Sequence, residues 1–95
     1  MHIQQGFTQK LELGQVGITP GAHDALNLRD VASSLVRHAG GDWGIVSEDD
    51  KVANEEALET GDRILSAYLD RNGVKFWIIT EWDRSATTIL LPDEY

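Results

Sequence analysis

A chain of 95 residues is long enough for one domain with one modest core, since folding at that size removes roughly 60 to 70% of the unfolded surface from water. The absence of cysteine excludes disulfides, a thiol nucleophile and thiolate metal sites, and suits a reducing cytoplasm. A formal charge of -8, with only eight scattered Lys and Arg, argues against nucleic acids and anionic membranes as partners, because phosphate is held by cations that displace counterions.

The opening MHIQQGFTQK has no basic segment followed by an apolar run, and no stretch approaches the roughly 20 apolar residues that span a bilayer. A soluble, cytoplasmic protein is the expectation. Residues 1–10 carry no periodicity and read as an irregular or frayed lead-in. Lys10 to Ile18 alternates Leu11 and Leu13, then Val16 and Ile18, with Gly14 breaking the phase. That is the pattern of a short, bulged edge strand. Thr19-Pro20 starts a short helix to Leu26, with Thr as cap and Pro where its missing N–H is harmless.

Asn27 caps a second helix whose Leu28, Val31, Ala32, Leu35, Val36 and Ala39 recur at three- and four-residue spacing. Asp30 lies near its positive end, and Gly40-Gly41 ends it. His38, in the last turn, is placed to favour the helix dipole when protonated. Asp42-Trp43-Gly44 reads as an aromatic plug for one end of the core, or else as an anchor for a partner. Ser47 with Asp50 opens a third helix, closed by Gly61. Its apolar face is weak (Val52, Ala53, Ala57, Leu58) and its acidic content high, so it is expected on the surface with one side lightly docked.

From Asp62 to Leu91 the chain reads RILSAYL, a turn at Asn72-Gly73, VKFWIIT, a turn near Asp83-Arg84, and ATTILL. β-Branched and aromatic residues between turn signals predict a three-stranded antiparallel meander. A two-residue loop sets Leu69 opposite Phe76 and Tyr68 opposite Trp77. A type I turn over Asp70 to Gly73, with Gly73 left-handed, shifts one strand by a residue. The shorter loop puts Tyr68, Trp77 and Ile79 on one face, a candidate homodimer surface. The fold class is α+β: an antiparallel sheet, made of an N-terminal edge strand plus the C-terminal meander, packed with three helices in the order β-α-α-α-β-β-β over one domain, 1–95.

No phosphate-binding glycine loop, HExxH, EF-hand or GxSxG pattern occurs, and His2, His23 and His38 lack metal-ligand spacing. No cofactor is implied. The strings GDWG (41–44), ANEEAL (53–58), GDRILSAY (61–68) and WIITEWDRSATTILLPDEY (77–95), with TPGAHDAL (19–26), resemble a family of short "plasmid-related" proteins of bacterial mobile elements. That resemblance implies a mobile-element origin and brings no catalytic residues. Trp82 departs from it, standing where the family has a small residue, usually alanine. A fainter similarity is to RelE and barnase-like ribonuclease toxins, also small α+β domains. It would make Arg63, Tyr68, Lys75, Arg84, Thr87 and Thr88 the candidates for in-line attack at phosphate.

The sequence thus favours a non-enzymatic module that binds another protein of basic character. Glu48, Asp49, Asp50, Glu55, Glu56 and Glu59 would supply the attraction, and Trp43 and Trp82 the apolar anchors. The ribonuclease is the alternative.

Overall fold

The computed structural model describes residues 7–95. Strand β1 (Gln15–Ile18) leads into helices α1 (Pro20–Ala25), α2 (Leu28–Ala39) and α3 (Glu48–Thr60). Strands β2 (Ile64–Leu69), β3 (Lys75–Thr80) and β4 (Ala86–Leu90) follow, then a single 3-10 turn at Pro92–Glu94. The caps are those the sequence announces. Thr19 accepts from the Ala22 N–H, Asn27 from Arg29 and Asp30, and Ser47 from Asp50. Residues 1–6 of the expected lead-in lie outside the described residues. The rest of it is anchored, because Lys10 and Leu11 donate to the Ala39 carbonyl and Leu11 is buried. Leu11 is therefore a core residue, and the strand begins only at Gln15.

The order is the expected β-α-α-α-β-β-β, but the sheet is mixed rather than antiparallel. Its strand order is β1-β4-β3-β2, with β1 parallel to β4. Alternation identifies a strand and its faces but says nothing of the direction of its neighbour. The three helices and the hairpin form the long crossover that a parallel pair needs.

The hairpin takes the three-residue loop, pairing Tyr68 with Phe76 and Ala67 with Trp77. One side chain decides this. Asp70 Oδ1 accepts from the Asn72 and Val74 N–H groups at 2.9 and 3.0 Å, while its Oδ2 takes the otherwise orphaned Asn27 N–H at 2.9 Å. Those N–H groups hold the Asp70 carboxyl below its usual range. Gly73 closes the turn at φ 81°, and Arg71 forks onto Asp30 of α2. The two-residue loop would forgo this clamp between hairpin and helix.

In this register Tyr68, Phe76, Ile78 and Ile89 share the face covered by Ala22, Leu26 and Val31 of α1 and α2. Trp77 and Ile79 lie on the other face. The candidate dimer surface is thereby split: Tyr68 is 1% exposed in the core, and Ile79 is 3% exposed. Trp77 is half-buried under the ring of Tyr95, which stands edge-on at 5.7 Å. A smaller second cluster joins Leu11, Trp43, Ala57 and Ile64 under α3.

Candidate functional site

Helix α3 is amphipathic in an unusual sense, because its inner face is nearly as polar as its outer one. Ala57 is buried and Leu58 half-buried, whereas Val52 and Ala53, expected on the docked side, are exposed. What holds the helix down instead is Asn54, buried to 5%, whose amide donates to the Leu65 carbonyl at 2.8 Å and accepts from the Leu65 N–H at 3.3 Å. It copies a neighbouring strand. At the helix end Arg84 donates to the carbonyls of Ala57 at 2.8 Å and Asp62 at 2.6 Å. That cation favours the negative end of the helix dipole, which offsets the cost of a non-glycine residue at φ 61°.

Docking through Asn54 and Ala57 leaves a gap between α3 and the edge of the sheet. A groove of about 430 Å³ is lined by Ala53, Glu56, Ala57, Glu59, Asp62 and Arg63. A second hollow of about 250 Å³ continues it past Asp50, Ala53 and Leu65. Its rim is acidic at Asp50, Glu56, Glu59 and Asp62. The one cation in the wall, Arg63, is turned toward the C-terminus, hydrogen-bonded to the Tyr95 hydroxyl and lying 5.2 Å over its ring. Small residues at Ala53 and Ala57 make the floor. Sequence reading singled out the helix's carboxylates and set Ala53 on its docked face, but missed the open groove that Ala53 and Ala57 floor, although Asp50, Ala53 and Ala57 follow three- and four-residue spacing.

Of the expected partner-binding residues, Glu48, Asp49, Asp50, Glu56 and Glu59 are exposed on α3, with Lys51 paired to Glu48 at 3.0 Å. Glu55 is committed to Trp43, whose indole donates to its carboxylate at 2.7 Å. Trp43 itself is 4% exposed and fills the second cluster, so it is a plug and not an anchor. Trp82 is 66% exposed, on the β3–β4 turn that Arg84 ties to the end of α3.

The ribonuclease candidates do not converge. Arg84 is spent on backbone carbonyls, Arg63 on Tyr95, and Lys75 lies exposed at the opposite end of β3 from the Glu81 turn. Tyr68 donates to the Asp42 carbonyl at 2.7 Å, and burial pushes its phenol up to about 12. Thr87 and Thr88 point to opposite faces of β4.

Thr87 belongs to a buried polar chain that crosses the sheet. Its hydroxyl meets the Leu13 carbonyl at 2.7 Å, Thr80 lies 2.7 Å from Thr87, and His38 bridges Thr80 at 2.8 Å to Ser66 at 2.6 Å. The carbonyl can only accept, so Thr87 donates to it, Thr80 donates to Thr87, and His38 Nε2–H donates to Thr80. In the neutral ring Nδ1 then accepts from Ser66, which sets the Nε2–H tautomer. Burial, with Arg84 as a second cause, lowers the His38 pKa to about 4. His38 is thus a neutral core residue, not the protonated helix-end group its position suggested.

Among the described residues no cluster of His, Asp and Glu could hold a metal ion, and no helix is long and apolar enough to cross a membrane. Comparison with protein-family models, curated proteins and solved structures found no match for this chain.

Proposed function

We propose that this chain is an accessory protein of a bacterial mobile element, acting in the cytoplasm by binding a Lys- or Arg-rich segment of another protein along α3. The observation that carries the reading is the acidic groove between α3 and β2, where Asp50, Glu56, Glu59 and Asp62 overlook a floor of small side chains. An open groove of this depth takes the methylene stem of a lysine or arginine against Ala53 and Ala57 and leaves its head among carboxylates. Trp82, on the turn that Arg84 ties to the end of α3, is an exposed aromatic that a partner would bury.

Titration calorimetry with a lysine-rich peptide tests this at low and high salt. Binding is expected to weaken at least about tenfold from 50 to 300 mM salt, since exposed charges are screened over about a Debye length. The double substitution Glu56→Gln with Glu59→Gln should abolish it while leaving thermal stability unchanged. Binding that ignores both salt and the double substitution would sink the reading.

A further inference from the structure

The far edge of the sheet has a different chemistry. Gln15 of β1 and Thr19 just beyond it donate to Ser85 and Ile89 of the β4 side, each at 3.0 Å, so the alternate residues Val16 and Ile18 turn their backbone N–H and C=O groups outward. Among the described residues nothing pairs with that outer side, since β1 ends the strand order. The run Leu13 to Ala22 holds no Asp, Glu, Lys or Arg in a chain of net charge -8. Beside it lies an open apolar groove of about 300 Å³, lined by Val16, Ile18, Leu28, Val31, Leu35 and Ile89. Val16 and Leu28 there are 43% and 45% exposed. Natural edges are normally blunted by charge, proline or cover, and among the described residues Gln15–Ile18 has none of them.

Gly17 adds an independent observation. Among the described glycines it alone has neither a positive φ nor any atom within 4 Å of where a Cβ would stand. A glycine inside a strand weakens it and marks a bulge or the close approach of another backbone, and the regular β1–β4 register excludes a bulge. Among the described residues nothing approaches this glycine to offset that cost.

We propose that β1 pairs antiparallel with β1 of a second copy across a two-fold axis at Gly17. Val16 then exchanges both backbone hydrogen bonds with Ile18 of the other copy, and the two glycines face each other at the close, non-hydrogen-bonded position. The side chains of Val16 and Ile18 remain on the helix side, where the two apolar grooves become continuous and cover each other. An uncharged seam is what lets two strongly acidic chains meet, and its hydrogen-bond pattern and apolar lining complement themselves under the two-fold.

The test uses the full chain in sedimentation equilibrium from micromolar to millimolar concentration. Wild type should pass from one chain to two. Gly17→Lys and Gly17→Glu should each remain folded, because the new side chain enters open space, yet stay monomeric, because like charges then face each other at the axis. Mixing the two variants should restore the dimer, with Lys opposite Glu. A wild type that is monomeric at millimolar concentration overturns the proposal and leaves the edge to a strand of another protein. Single variants that dimerise like wild type, or a mixture that fails to associate, also overturn it.

Discussion

At the β2 edge the chain seals itself, whereas at the β1 edge none of the described residues does so. Along β2 the Ala67 N–H and C=O are taken by Trp43 and Ile45 at 3.2 and 2.8 Å, and both Leu65 backbone groups by the Asn54 amide. Along β1 the outward backbone groups of Val16 and Ile18 have no neighbour among the described residues, and the two side chains line an apolar groove on the helix side. Among the described residues, only the β2 edge has been closed by folding. An edge that can be capped by one loop and one side chain shows that this fold has the means to close edges, which makes the unclosed one informative.

The largest expected effect lies on the closed side, at Gly44. It sits at φ 74°, and a Cβ there would stand 1.9 Å from the Ala67 carbonyl oxygen, inside the bridge that seals the edge. Gly44→Val should therefore destabilise by at least about 3 kcal/mol in urea unfolding, from combined backbone strain and overpacking. A loss below about 1 kcal/mol would mean that the 43–45 segment is not part of the cooperative fold.

The buried chain from Ser66 through His38 to Leu13 links the two edges and supplies the next largest effect. Below pH 6.5 the unfolded chain takes up a proton at His38 that the folded chain refuses until about pH 4. Stability from this group is therefore full above the unfolded value and falls as pH drops through that window, by roughly 3 kcal/mol in total. His38→Gln should flatten the slope of unfolding free energy between those values. A variant retaining the wild-type slope would place the titration elsewhere.

Asn54→Ala comes third, expected to cost about 2 kcal/mol because it strands the backbone of Leu65 at a partly buried edge. Amide hydrogen exchange should locate the damage at Leu65 and leave the β3–β4 pairs protected. Uniform loss of protection would instead mean that α3 packing, not edge capping, was removed.

How these edges are finished was only partly legible in the residues. Caps, turns and strand cores were readable because each is a local preference, as with Thr19, Asn27 and Ser47. The hairpin register was not, since it turns on Asp70 reaching Asn27, a contact across the fold. Asn54 looked like one more polar residue on an acidic helix, and its role depends on a strand that follows Gly61. Trp43 shows the same limit: burial and exposure both fit an aromatic between turn residues, and only the Leu11, Ala57 and Ile64 side chains around it decide. The acidic groove was half visible, as carboxylates without a floor. For β1, the strand could be read but not its direction, nor the open space beside Gly17 among the described residues.

That last residue gives the smallest effect and the most direct contrast with Gly44. The same kind of substitution, glycine to a β-branched residue, can be placed on each edge. At Gly17 the Cβ enters open space and the backbone is ordinary strand, so Gly17→Val removes unfolded-state entropy and adds strand preference without meeting anything. Measured in dilute solution, where the chain is monomeric, it should leave stability unchanged or raise it by about 0.5 to 1 kcal/mol. A gain there, set against a loss of several times that size at Gly44, would establish that nothing in the single chain lies against Gly17 and that glycine is not retained for its stability. A loss above about 1 kcal/mol would mean that something within the chain already lies against Gly17, and the asymmetry between the two edges would disappear.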